Sequence, residues 1–156
     1  MKAADAIKLI ENGIFEKEPQ RWADLGCGTG TFTLALKSLL PADSKVIAVD
    51  KERQNLPDFI QADFINDELV LGPVYGILMA NSLHYVKDKP KLIKKLDSPK
   101  ILIVEYDTTR ANSWVPYPIN FKNLEQLSAN LGYQITKLAE HPSRFGGTLY
   151  SALVNK

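Results

Sequence analysis

Gly26, Gly28 and Gly30 stand at alternate positions directly after a short apolar stretch, with Asp24 two places ahead of the first. A strand that ends in such a turn and opens a helix brings backbone N–H groups close to a bound ligand. The usual dinucleotide fingerprint, G-x-G-x-x-G, needs a glycine at position 31, but Thr31 stands there and the third glycine is Gly30. A carboxylate at Asp24 repels a pyrophosphate and welcomes a cation. The loop therefore predicts a nucleotide-like ligand with a positive centre. Cys27, the only cysteine, lies between glycines without an acid–base partner and reads as small filler rather than a nucleophile.

In open α/β sheets the ligand lies at the carboxyl ends of the strands. Further candidates are therefore Asn81, Ser82, His84 and Tyr85 after one strand, and Glu105, Tyr106 and Asp107 after another. His84 is one of two histidines. It is either a general base at neutral pH or a packing residue on a turn. Trp114 to Pro118, rich in aromatics and prolines, reads as a stiff apolar lid carrying Trp114 and Tyr117, or else as a loop anchored on the core. Arg144 and Phe145, before Gly146-Gly147, read as a surface hairpin tip rather than a substrate contact. Lys87, Lys89, Lys91, Lys94, Lys95 and Lys100 form a basic cluster interrupted by Asp88 and Asp97. A solvated helix face accounts for it better than an RNA-binding patch. No metal-ligand set is expected.

These residues need a scaffold, and the hydrophobic pattern predicts one. Strands are expected at Arg21–Leu25, Val46–Asp50, Phe59–Ile60, Val74–Ala80 and Ile101–Val104, with helices over Ala3–Ile10, Thr29–Leu40, around Asp67–Leu71 and over Lys87–Leu96. Asn120 is placed to cap a helix closed by Gly132. Two strand-like runs, Tyr133–Ala139 and Thr148–Val154, follow with no helix between them. The alternation predicts a doubly wound α/β fold, a mostly parallel seven-stranded sheet with a C-terminal antiparallel hairpin at one edge.

A chain of 156 residues with 45% hydrophobic and 24% charged residues and a net charge of +1 suits one globular domain and carries no bulk attraction for nucleic acid or membrane. The division expected is an N-terminal helix and lid over 1–20, a cofactor-binding core over 21–106 and a substrate-side loop, helix and hairpin over 107–156. With a single cysteine and no leader-like apolar run, a cytoplasmic location is expected.

Asp24-Leu25-Gly26-Cys27-Gly28-Thr29-Gly30 resembles the first motif of class I methyltransferases that use S-adenosylmethionine (SAM). The resemblance covers Arg21 to Val104 well and the closing hairpin in outline. It implies a Rossmann-like fold and SAM as cofactor, with S-adenosylhomocysteine (SAH) as product. It also implies that Asp24 orders the methionine amino group and that the glycines and Cys27 let the cofactor lie against the backbone. Asp50 would take the ribose hydroxyls, with Lys51 beside it. Ala62, Asp63 and Phe64 would receive the adenine, Asp63 through its N6 amine, although Asp63 also suits a helix cap. Asn81 would lie beside the transferable methyl.

No Asn/Asp-Pro-Pro-Tyr/Phe tetrapeptide follows the fourth strand, which argues against methylation of exocyclic amines in DNA or of glutamine; the absence of a cysteine argues against cytosine-C5 chemistry. The expected function is methyl transfer to a small molecule by proximity and orientation. His84 and Asn81 are the catalytic candidates, and Tyr85, Tyr106, Trp114 and Tyr117 the substrate-side ones. Alternatives are an RNA methyltransferase, a non-catalytic SAM-binding module and an NAD-dependent oxidoreductase. So little chain lies outside the cofactor core that a second copy, in a homodimer, is a candidate to complete the pocket.

Overall fold

The computed structural model describes residues 1–156. Its sheet has seven strands in the order β3-β2-β1-β4-β5-β7-β6. They are β1 (Arg21–Leu25), β2 (Lys45–Asp50), β3 (Phe59–Gln61), β4 (Gly76–Ala80), β5 (Lys100–Tyr106), β6 (Gln134–Pro142) and β7 (Thr148–Asn155). Strands β1 to β5 pair in parallel, while β7 runs antiparallel to both β5 and β6. The hairpin thus folds back so that its second strand joins the sheet and its first becomes the edge. Four helices accompany the sheet: α1 (Ala3–Ile10), α2 (Thr31–Leu39), α3 (Lys89–Lys95) and α4 (Phe121–Asn130).

Alternate residues along each strand face opposite layers, which divides the core in two. Trp22, Leu78, Leu102 and Leu153 pack with α1 and α2, whereas Ala23, Ile77, Ile101 and Ala152 pack with α3 and α4. Trp22 is fully buried and donates its indole N–H to Gln20 Oε1 at 2.9 Å. Its ring fills the space beside Gly76, where an added Cβ would lie 2.4 Å from it. Gly76→Ala should therefore cost about 1–3 kcal/mol by overpacking. Urea unfolding measures this, and an unchanged midpoint would show that the indole moves aside freely.

The helix expected around Asp67–Leu71 does not form, and β2, β3 and β4 are joined by loops alone. The segment instead closes a single turn and is then held by side chains. Asp63 Oδ1 accepts from the Ile65 and Asn66 N–H groups, Asp67 Oδ2 accepts from the Asp63 N–H, and the Arg21 guanidinium holds the Leu71 and Pro73 carbonyls. Ala62, Leu69, Leu71 and Val74 cover the sheet where a helix would have lain.

Other boundaries shift by a residue or more. Helix α2 starts at Thr31 because Gly30, at φ 95°, is its N-cap. Asp88 caps α3 by accepting from the Lys91 N–H, with Pro90 in the first turn as expected. Asn120 caps α4 through the Asn123 N–H at 2.9 Å, and β6 extends to Pro142 past a register shift at Lys137/Ala139. The lysine cluster is not one solvated face. Lys89 and Lys100 are buried, the latter on the Glu16 carboxylate at 2.9 Å, while Lys87, Lys91, Lys94 and Lys95 are exposed. No helix is long and apolar enough to cross a membrane.

Candidate active site

The glycine loop is tied down from beneath. The Gly26 and Cys27 N–H groups both donate to the Val49 carbonyl, at 2.8 and 3.0 Å. Asp50, at the end of β2, accepts the Gly28 N–H on Oδ2 at 2.8 Å and the Glu52 N–H on Oδ1 at 2.9 Å. Each oxygen keeps a lone pair for a further donor. The glycines do different things. A Cβ on Gly26 would lie 2.6 Å from that of Ser82, so this glycine lets β1 and β4 converge, while one on Gly28 would meet nothing within 4 Å and would project into open space. Gly30 does not line the cavity. It caps α2 and abuts Leu56.

Asp24 is 1% exposed and does not line the cavity either; it lies beneath the loop. The Thr33 hydroxyl donates to Oδ2 at 2.6 Å, and Oδ1 is buried with no partner. Burial, with the Asp50 charge adding to it, pushes the carboxyl up to about 7. Burial first, then Asp24 and Asp50, pushes the Cys27 thiol up to about 12, which suits filler and not a nucleophile.

A cavity of about 680 Å³ opens above the loop, lined by Gly26, Cys27 and Gly28 on one side and by Asp50, Lys51, Ala62, Asp63 and Phe64 on another. Asn81 and Tyr85 close its far end. Asp63 lines this cavity from a turn, with no helix for it to cap. It faces the cavity and also organises its own turn, and its hydrogen bond from the Asn66 side chain, set against partial burial, holds its carboxyl below the usual range. Asn81 adopts a left-handed conformation, φ 56°, which asparagine tolerates better than most residues. Its N–H donates to the Val104 carbonyl at 2.8 Å, and its side-chain Oδ1 is the second buried oxygen without a partner.

Asn81 and Tyr85 also line a second cavity, of about 740 Å³. Its other walls include His84, Tyr106, Trp114 and Phe145. His84 is 3% exposed, with Nδ1 2.9 Å from Glu105 Oε2 and its backbone N–H donating to Oε1 at 3.0 Å. A carboxylate on Nδ1 selects the tautomer that leaves Nε2 as the acceptor. Register explains the pairing: Ala80 lies opposite Val104 in the β4–β5 ladder. The following residues therefore emerge together.

Trp114 lines this cavity, on a loop bent by Asn112 Oδ1 accepting from the Trp114 and Val115 N–H groups, each at 2.8 Å. Tyr117 does not line it. Its N–H donates to the His84 carbonyl and its own carbonyl accepts from Lys89 Nζ at 2.6 Å, so it secures the lid base. The hairpin tip lies at the surface, with Phe145 75% exposed, and its Phe145, Gly146 and Gly147 also line this cavity. Nothing local in the sequence signals that lining. The Glu105 partnership had one signal, an acid ending an otherwise apolar strand.

No family model matches this sequence, and no curated protein matches it. Solved structures do. A cyclopropane-fatty-acyl-phospholipid synthase-like protein from Lactobacillus casei superposes with a TM-score of 0.73 at 11% identity, over 99% of this chain and 90% of that one. A SAM-dependent methyltransferase from Aquifex aeolicus gives 0.65 at 14%, over 99% and 98%. Magnesium protoporphyrin IX methyltransferase from Synechocystis, solved with bound SAM, gives 0.67 at 15%, over 98% and 77%. This chain has the class I SAM methyltransferase fold. Against the methyltransferase fold expected from the sequence, the agreement covers the sheet, the strand directions and the closing hairpin.

Proposed function

We propose that the chain is a SAM-dependent methyltransferase acting on a small molecule. The observation that carries the reading is the pair of cavities meeting at Asn81 and Tyr85. One is built like a cofactor bed and the other like an acceptor pocket, and a group passing between them crosses a single shared wall.

The first cavity fits SAM on three counts. Gly28 presents bare backbone to the space. Asn81, which lines it, holds a buried oxygen with no donor, which an ammonium would supply; Asp24, beneath the loop, holds a second that an ammonium would reach only through water. Asp50 has lone pairs left for ribose hydroxyls. Ala62, Asp63 and Phe64 would receive the adenine, and Lys51 would lie beside the ribose. When bound, SAM supplies a methyl on a sulfonium, whose departure needs no protonation. The chain's own work is to hold an acceptor in line, exclude water and take a proton. His84 is the base in this reading. The loop carrying Trp114 and the hairpin tip would wall the acceptor cavity.

Two experiments test this. Incubation with methyl-labelled SAM and a metabolite extract should label a low-molecular-weight product, and an inert extract would contradict the reading. Asp50→Ala should weaken SAH binding by about 1.5–3 kcal/mol for each charged hydrogen bond lost. Calorimetry reads this directly, and unchanged affinity in a folded variant would remove Asp50 from the site.

A further inference from the structure

The second cavity has a composition that selects among acceptors. Its exposed side chains are aromatic to an unusual degree: Trp114 is 80% exposed, Phe145 75% and Tyr85 51%. Large aromatics left in water around a cleft are poised to stack on a flat ligand. Arg110 lines the same cavity and makes no ion pair within the chain. Asp107, the carboxylate in the lining, accepts the Phe121 N–H at 2.9 Å. His84 borders the cavity, with Nδ1 committed to Glu105 and no hydrogen bond on Nε2. An uncommitted guanidinium, a stacking wall and a proton acceptor lie around one space.

We propose that the acceptor is a planar aromatic molecule bearing a hydroxyl or other protonated nucleophile and an anionic substituent. It stacks between Trp114 and Phe145, its anion meets Arg110, and its acidic proton faces His84. This rests on the methyltransferase reading and names the substrate class for it. In the step implied, the nucleophile's oxygen bonds to the methyl carbon as the methyl–sulfur bond breaks. That electron pair stays on sulfur, and the hydroxyl proton passes to His84 Nε2. Glu105 steadies the resulting imidazolium. The other titratable groups around the pair are Tyr85, Tyr106, Lys89 and Tyr150.

Calorimetric titration of the full chain with SAH, then of the SAH complex with three probes, tests the assignment. The probes are 6-hydroxy-2-naphthoate, 2-naphthol without the anion, and 4-hydroxycyclohexanecarboxylate without the aromatic plane. The naphthoate should bind about tenfold or more tighter than either control. Arg110→Gln should erase its advantage over naphthol, and Trp114→Ala should erase its advantage over the alicyclic acid. Equal binding of all three probes, no binding of the naphthoate, or variants that leave the preferences intact would overturn the proposal while SAH binding upholds the broader reading. Failure to bind SAH would overturn both.

Discussion

Replacing His84 with glutamine should lower methyl transfer by about 10²–10⁴-fold while SAH binds as before. The imidazole contributes little to the cofactor cavity, whose lining excludes it. It stands between that cavity's shared wall and Glu105, and a base there acts on the acceptor alone. Glutamine keeps a hydrogen bond to Glu105 but cannot take a proton at neutral pH, so any folding defect is separable by thermal melting. A variant with full turnover would make His84 a packing residue, the reading the sequence left open beside this one.

The second large effect concerns Asp24, and it couples stability to the cofactor. The carboxyl is raised from 3.8 to about 7, chiefly by burial. The folded state therefore holds the proton more tightly than the unfolded chain. The stability tied to that proton is fully present below about pH 4, falls as pH rises toward 7, and is lost above it. The interval corresponds to about 4 kcal/mol. Asp24→Asn should therefore stabilise the ligand-free protein at pH 8 by a few kcal/mol and change it little at pH 4, as read by urea unfolding at the two values. The same variant should bind SAH more weakly, because an ammonium favours the ionised carboxylate. In the wild type, SAH affinity should tighten as pH rises through about 7. Flat affinity across that range, or a variant destabilised at pH 8, would show that Asp24 serves packing alone.

Much of this was legible before any coordinates. Val46 to Val49 and Ile101 to Val104 are apolar on both faces, as strands between two helical layers must be. The glycine loop announced a strand-to-helix turn, and the three acids Asp24, Asp50 and Asp63 fell at strand ends. What escaped depended on contacts between distant segments. Asp63 and Asp67 closed a single turn after β3 where a helix was expected. Lys89 looked like its solvated neighbours until the lid's Tyr117 carbonyl and the Val86 carbonyl took its ammonium. The β7 strand entering between β5 and β6 carried Phe145 and its glycines to the wall of the second cavity. Periodicity reports which face of an element is buried, and it is silent on which loop ends up opposite.

The space above the glycine loop is proposed as a SAM site. Isothermal titration with SAH and, separately, with NADH tests it most directly. The account predicts saturable one-to-one binding of SAH, abolished or strongly weakened by Gly28→Val, whose side chain would fill the open space above the loop, and no binding of NADH. Saturable binding of NADH with none of SAH would contradict it and return the loop to a dinucleotide.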